Sequence, residues 1–244
     1  MAGRTRYAPR MPISGQRVSI VVPARNEAET IVDVLNAVRS YGDELIVVDG
    51  RSSDATASLA RDAGALVVPD NGRGKGDAVR CGARAAKGDL IVFIDADGSH
   101  EPTDVPKLLA PLASGEADLV IGSRMRGGSD ELHSNVGEAV RLMGSTVITQ
   151  AINLRFGVHL TDYQNGFRAI RAKVFWDLGL TEDITTIEQE MAIKALRLGY
   201  RVAEIPSHEF VRKGGQSKIN VMRDSHKYIF QLVRELSRRS PRRG

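Results

Sequence analysis

Five short runs rich in valine and isoleucine, Val18–Val22, Leu45–Asp49, Ala65–Val68, Leu90–Asp95 and Leu119–Gly122, recur along the first half of the chain and constrain its fold most. Stretches of helical character separate them: Glu27–Ser40, Asp54–Ala63, Lys75–Ala86 and Thr103–Ala113, the last interrupted by Pro106 and Pro111. Continuous apolar strands alternating with helices imply an α/β fold, a mostly parallel central sheet with helices on both faces. Ligands of such sheets bind at the carboxyl ends of the strands. The polar residues gather there: Pro23-Ala-Arg-Asn-Glu27, Asp49-Gly-Arg-Ser-Ser-Asp54, Asp95-Ala96-Asp97 and Gly122-Ser-Arg124. Strand ends converging on one crevice are stronger evidence than any single motif.

Composition narrows the function classes. With 244 residues, 42% hydrophobic and 26% charged, the chain suits one large folded domain. The one cysteine, Cys81, excludes an internal disulfide framework and a cysteine zinc site; it reads as a small buried hydrophobe in a protein of a reducing compartment. No apolar run reaches the length of a membrane span and no signal-peptide core opens the chain, so a cytoplasmic protein, soluble or peripheral on a membrane, is expected. The net charge of +4 is uneven: Arg4, Arg6 and Arg10 open the chain, and Arg234, Arg238, Arg239, Arg242 and Arg243 close it. Anionic partners follow. A basic stripe with interleaved aromatics is missing, so membrane phosphate or a phosphorylated substrate is expected and nucleic acid is not. The expected organisation is a basic arm over 1–16, a domain over 17–218, and an amphipathic helix with a basic tail over 219–244.

A buried strand delivering Asp95 and Asp97 to its carboxyl edge fits a metal-and-phosphate site, although acidic pairs after strands are also common in plain turns. The surrounding segments decide between these. Val18-Ser-Ile-Val-Val-Pro-Ala-Arg-Asn-Glu27, Val47-Val-Asp-Gly-Arg-Ser-Ser-Asp-Ala-Thr56, Gly74-Lys-Gly-Asp-Ala78 and Asp95-Ala-Asp97 resemble the inverting family 2 glycosyltransferases of GT-A fold. Gly122-Ser-Arg124, Thr161-Asp-Tyr-Gln-Asn-Gly-Phe-Arg168, Glu188-Gln-Glu-Met-Ala-Ile-Lys-Ala-Leu196 and Arg212-Lys-Gly-Gly-Gln-Ser-Lys218 look like the dolichyl-phosphate mannose synthase group. The resemblance spans roughly residues 17–220.

It implies transfer of a hexose, mannose from GDP-mannose first among the options, from a nucleotide-diphosphate sugar donor to a polyprenyl or dolichyl phosphate acceptor. A departing diphosphate gathers negative charge, which Mg2+ or Mn2+ on Asp95 and Asp97 would offset. The resemblance places Pro23, Arg25, Asn26, Glu27, Asp49, Lys75, Asp95, Ala96 and Asp97 on the nucleotide sugar. It places Arg124, Arg141 and Ser145 on the acceptor phosphate, Arg141 and Ser145 sharing a helix face by their i, i+4 spacing. Relatives often carry glutamine where Ser99 stands, and a second acid where Gly50 stands. Asn26 and Asp54 can also serve as helix caps. The Gly72-Arg-Gly-Lys-Gly76 segment lacks P-loop spacing and does not mark an ATPase.

A phosphate monoester is already anionic and needs no general base; Glu188 and Glu190 are candidate bases for a hydroxyl acceptor instead. Arg212 and Lys213 before Gly214-Gly215, with Lys218 beyond, suggest a lid closing over the diphosphate. His208 reads as an ordinary polar residue. Residues 219–237 predict an amphipathic helix with Met222, Ile229, Phe230, Val233 and Leu236 on its apolar side, and Val136–Phe156 is apolar at helical spacing. Where relatives carry C-terminal membrane spans, this basic tail is expected to reach the membrane surface peripherally, alone or with a membrane-anchored partner subunit. Competing readings are a related transferase using another nucleotide sugar or a soluble hydroxyl acceptor, and a non-catalytic nucleotide-sugar-binding subunit.

Overall fold

The computed structural model describes residues 15–130, 136–213 and 221–238, those of 136–143 and 221–225 through their backbone alone. Strands β1 (Val18–Ala24), β2 (Glu44–Asp49), β3 (Leu66–Pro69), β4 (Leu90–Phe93), β5 (Leu119–Ser123), β6 (Arg168–Arg171) and β7 (Val202–Pro206) form one sheet in the order β3-β2-β1-β4-β6-β5-β7. β1 pairs in parallel with β2 and β4, β2 with β3, and β5 with β7. Only β6 runs against its neighbours, between β4 and β5. It is too short and too arginine-flanked to form an apolar run, yet it pairs on both edges, so its backbone groups are satisfied by position.

The helices are α1 (Ile31–Val38), α2 (Thr56–Asp62), α3 (Lys75–Ala85), α4 (Val105–Ala113), α5 (Arg124–Gly127), α6 (Val136–Phe156), α7 (Ala172–Asp177), α8 (Ile187–Leu198) and α9 (Val221–Ser237). Alternate strand residues build two cores on opposite sheet faces. Val21, Ile46, Val48, Ile91 and Phe93 pack with residues of α3, α6 and α8; Ile20, Val22, Leu45, Val47 and Val92 pack with residues of α1 and α4. Cys81 lies half-buried on α3.

Two helical expectations change. The stretch from Glu27 becomes helical only at Ile31, because Asn26 is left-handed (φ +57°) and residues 27–30 form a turn. Thr30 Oγ1 then donates to the Ala96 carbonyl at 2.6 Å, tying the entry of α1 to the acidic segment after β4. The prolines do not interrupt α4: Pro106 sits in its first turn, where no N–H is required, and Pro111 is carried inside a continuous nine-residue helix.

Helix α9 packs on α8 and α6, with Tyr228, Leu232 and Leu236 against the core. Ile229, Phe230 and Val233, expected on its apolar side, face solvent instead. The side chain of Met222 lies outside the described residues. Gly82 on α3 allows that helix to approach the sheet: a Cβ there would stand 2.3 Å from Val21 Cγ1 and 2.9 Å from Val48 Cγ2. Gly82→Ala gains about 1 kcal/mol of helix propensity, but overpacking a strand-backed core costs about 1–3 kcal/mol and the overlap is severe. A net loss of stability in urea unfolding is expected.

Candidate active site

The site is organised around an ammonium group between two carboxylates. Lys75 Nζ lies 2.7 Å from Asp95 Oδ1, just beyond β4, and 2.9 Å from Glu188 Oε1 at the start of α8. Lys75 opens α3, whose first turn sits against the 182–184 segment. Gly76 N donates to the Asp183 carbonyl at 2.8 Å, and a Cβ on Gly76 would lie 2.3 Å from the Glu182 carbonyl. The glycines flanking Lys75 therefore serve a close backbone approach. Gly166 is bare for the same reason, since a Cβ would meet Lys75 Nζ at 2.7 Å and Asp95 Oδ2 at 2.8 Å. His100, stacked on Phe167 with centroids 5.2 Å apart, brings Nε2 to 3.4 Å from Asp95 Oδ2.

Burial opposes the Lys75 charge, but Asp95 and Glu188 outweigh it and hold its pKa above that of an ordinary lysine. Burial likewise opposes the Asp95 carboxylate, and Lys75 with His100 outweighs it, so Asp95 stays well below the usual carboxylate range. The buried Glu188 Oε2 has no hydrogen-bond partner among the described residues. It lines a cleft with Pro23, Lys75, Asp95, Gly166 and Arg168.

Asp97 is buried beside this cluster. Its Oδ1 accepts from Ser99 Oγ (2.7 Å) and Ser99 N (3.1 Å), and Arg212 Nε approaches Oδ2 at 3.5 Å. Backbone bonds from Lys213 N to the Asp97 carbonyl (3.2 Å) and from Phe210 N to the Ser99 carbonyl (2.8 Å) fasten the 210–213 segment to the acidic loop. Among the described residues no group of three or more His, Cys, Asp or Glu side chains could enclose a metal ion. Two hard carboxylates on one loop do fit Mg2+ or Mn2+, which use one or two carboxylates and complete their shell with phosphate oxygens and water. Ser99 is committed to Asp97 and supports it.

At the ends of β1 and β2 the backbone is interlocked. Asn26 N donates to Ser52 Oγ (3.0 Å), Ser53 N to Asn26 Oδ1 (2.8 Å) and Glu27 N to Thr56 Oγ1 (2.8 Å). Asn26 thus ties two strand ends together and does not cap a helix. Asp54 accepts from Thr56 N (3.0 Å) and Ala28 N (3.2 Å), joining the start of α2 to the turn after β1. Asp49 accepts weakly from Ser52 N at 3.3 Å. Arg25 is exposed and Pro23 borders the cleft.

Arg124 does not offer a free guanidinium to an acceptor phosphate. Nε and Nη2 bind Asp162 bidentately at 2.7 and 2.9 Å, and Nη1 reaches Glu209 at 3.2 Å. Burial opposes the Asp162 charge, but Arg124 outweighs it and holds the carboxyl below its usual range. Ser145 is half-buried on α6, which also carries Arg141; the Arg141 side chain, Gly214, Gly215 and Lys218 lie outside the described residues. Glu190 is not placed for base chemistry, since it accepts from Thr181 N and Glu182 N and pairs with Lys194 at 2.7 Å. His208 pairs with Asp130 at 3.1 Å. Sequence reasoning gave no role to Arg168, which is fully buried and donates to the carbonyls of Tyr163, Asn165 and Glu188. Burial pulls its pKa down to about 10.

Residues 19–179 match the model of glycosyl transferase family 2. Among relatives, glycosyltransferase AglJ of Haloferax volcanii is 34% identical over 92% of this chain and 73% of its own length. An undecaprenyl-phosphate mannosyltransferase of Micrococcus luteus is 32% identical over 84% of this chain and 88% of its own. Among solved structures, glucosyl-3-phosphoglycerate synthase of Mycobacterium tuberculosis, in complex with Mn2+, UDP and glucosyl-3-phosphoglycerate, has a TM-score of 0.72 at 25% identity, covering 98% of this chain and 88% of that one. The mixed, mostly parallel sheet is that of the GT-A glycosyltransferases.

The Arg124–Asp162 pair predicts a pH dependence. A folded pKa held below the unfolded value adds stability that is complete above the unfolded pKa, about 3.9, and is lost as pH falls through the folded one. Asp162→Asn should cost about 3 kcal/mol at pH 7 by leaving Arg124 with an uncharged partner. The gap between variant and wild type in urea titrations should narrow once the pH drops below about 4.

Proposed function

The chain belongs to glycosyl transferase family 2, and from that premise we propose that it transfers a hexose from a nucleoside-diphosphate sugar to a polyprenyl phosphate, with inversion at the anomeric carbon. The observation that carries the acceptor half is the 210–213 segment. Phe210 and Val211 are exposed apolar side chains, and they directly precede Arg212, whose guanidinium faces Asp97. An acceptor with an anionic head and an apolar chain fits that succession. The names of relatives agree: beside the undecaprenyl-phosphate mannosyltransferase stands an undecaprenyl-phosphate 4-deoxy-4-formamido-L-arabinose transferase of Aeromonas hydrophila at 28% identity.

In this reading the diphosphate lies over the ends of β1 and β4. Asp95 and Asp97 would hold Mg2+ or Mn2+, which when bound would offset the charge of the leaving diphosphate. Lys75 holds the Asp95 and Glu188 carboxylates in place before the donor arrives. Glu188 Oε2, buried and lacking a protein donor among the described residues, accepts from a sugar hydroxyl. Pro23, Arg25, Asn26, Glu27, Asp49 and Ala96 border the nucleotide. Arg212 and Lys218 meet the diphosphate, and Arg141 and Ser145 the acceptor phosphate. Arg124 positions: it fixes Glu209 and through it the segment that carries Phe210–Lys213. The acceptor phosphate attacks as an anion, so alignment rather than proton abstraction is the task.

No helix among the described residues is long and apolar enough to cross a membrane. A lipid acceptor would be met at the cytoplasmic membrane surface, and α9, with Ile229, Phe230, Val233 and Lys227 exposed, is the surface proposed to rest there, with or without a membrane-anchored partner. Mannose on GDP is the donor proposed. A second reading, glucose on UDP passed to a soluble phosphorylated acid, is favoured by the M. tuberculosis synthase, whose structures hold Mn2+, UDP-glucose and phosphoglyceric acid.

Transfer assays with GDP-mannose and UDP-glucose, each against a short-chain prenyl phosphate and phosphoglycerate, separate the readings. Prenyl-phosphate transfer that requires divalent metal is expected, and turnover on phosphoglycerate alone refutes the lipid acceptor. Asp97→Asn should lower turnover by roughly 10² or more with circular dichroism unchanged. Near-normal turnover of that variant at limiting metal would end the metal assignment.

A further inference from the structure

Two described residues other than glycine adopt a left-handed backbone, Asn26 (φ +57°) and Arg51 (φ +59°), and they follow the adjacent strands β1 and β2. Asn26 is accounted for: asparagine tolerates this region, and its side chain and backbone bind Ser53 and Ser52. Arg51 is not accounted for by packing. Glycine would take the same φ without strain, so an arginine here costs stability that nothing in the core returns.

What the strain achieves is the placement of one exposed guanidinium. Arg51 Nη2 donates to the Asn71 carbonyl at 3.0 Å, and the group lies against Gly72 so closely that a Cβ on Gly72 would stand 2.6 Å from Arg51 Cζ. Nε and Nη1 make no hydrogen bond to other described residues. Asp49 lies two residues earlier, its carboxylate engaged among the described residues only by the long bonds from Ser52 N at 3.3 and 3.4 Å. Asp70 closes the corner: its N–H donates to the Asp49 carbonyl at 3.1 Å, and its Oδ2 would be 3.5 Å from a Cβ on Gly50. Asp49 at the carboxyl end of β2 thus supplies an acceptor, and Arg51, whose guanidinium reaches the loop after β3, a donor.

We infer that Arg51 selects a donor nucleotide carrying uracil or guanine over one carrying cytosine or adenine; the inference rests on the nucleotide-sugar reading given above. Uracil and guanine each present a ring N–H next to a carbonyl. The N–H can donate to Asp49 while the carbonyl accepts from Arg51. With the ring held in that same placement, cytosine and adenine set a ring-nitrogen lone pair against the carboxylate and an amino group against the guanidinium. Mismatched polar groups of this kind are what make discrimination large. The Arg51 guanidinium, immobilised over Gly72, loses little freedom when it meets the base.

The test is calorimetric titration of UDP, GDP, CDP and ADP in the presence of Mn2+, with wild type, Arg51→Gly and Arg51→Asn. The wild type should bind UDP or GDP at least tenfold more tightly than CDP and ADP. Both variants, relieved of backbone strain, should melt no lower than wild type and should compress that preference to about threefold or less. A preference unchanged in both variants overturns the role of Arg51 and leaves the nucleotide-sugar site standing. Equal affinity of the wild type for all four diphosphates also overturns it. Failure of the wild type to bind any of them overturns the nucleotide-sugar reading itself.

Discussion

The contact on which the rest of the site depends is the Lys75 ammonium shared by Asp95 and Glu188. Two carboxylates brought together in a partly buried cleft repel each other, and burying either one unpaired costs several kcal/mol, at the order-of-magnitude level. One cation resolves both demands. It requires α3 to begin against the 182–184 segment, hence Gly74 and Gly76, and it requires bare backbone at Gly166. The end of β4, the first turn of α3, the start of α8 and the loop entering β6 therefore meet at a single atom. The Asp95 carboxylate is thereby kept ionised instead of being lost to protonation.

Much of this was legible in the chain. Strands buried on both faces announce themselves as apolar runs, which is why β1, β2, β4 and β5 were readable, with Asp49, Asp95 and Asp97 beyond or at their ends, while the edge strand β3 was readable from Leu66-Val-Val68 although it is only half-buried. The antiparallel strand was not. A strand running backwards contributes to the site through the residues that precede it, so Gly166 reaches the cleft without following any strand. Arg124 shows another limit: an arginine after a strand looks available until its partners, 38 and 85 residues away, are known. Glu188 and Glu190 show a third. Two residues apart on a helix they face different ways, one toward Lys75, the other toward Lys194 and the start of the 181–182 segment. Position 51 resisted for a different reason, because a left-handed φ leaves no trace in sequence unless glycine or asparagine marks it.

Helix α9 joins the domain through a seam that mixes apolar and polar contacts, with Tyr228, Leu232 and Leu236 against the core. The polar part of that seam is extensive: Gln231 and the carbonyl of Tyr228 meet Gln189, Glu235 is buried against Arg197 at 2.6 Å, and Arg234 bonds Glu182. Ile229, Phe230 and Val233 remain outside. Such a seam gives little reward for approximate contact, because Gln189 and Arg197 must give up water before their partners compensate them, and compensation needs the right register. Burial of Leu232 and Leu236 favours docking but does not alone fix that register. Among the described elements α9 is also the last to leave the ribosome, so the polar flank of α8 must stay hydrated while the sheet and its two cores close. Docking of α9 is thereby cast as a late, register-dependent step of maturation. A nascent chain that has already buried its sheet would still lack the partners of Gln189 and Arg197 until that helix arrives.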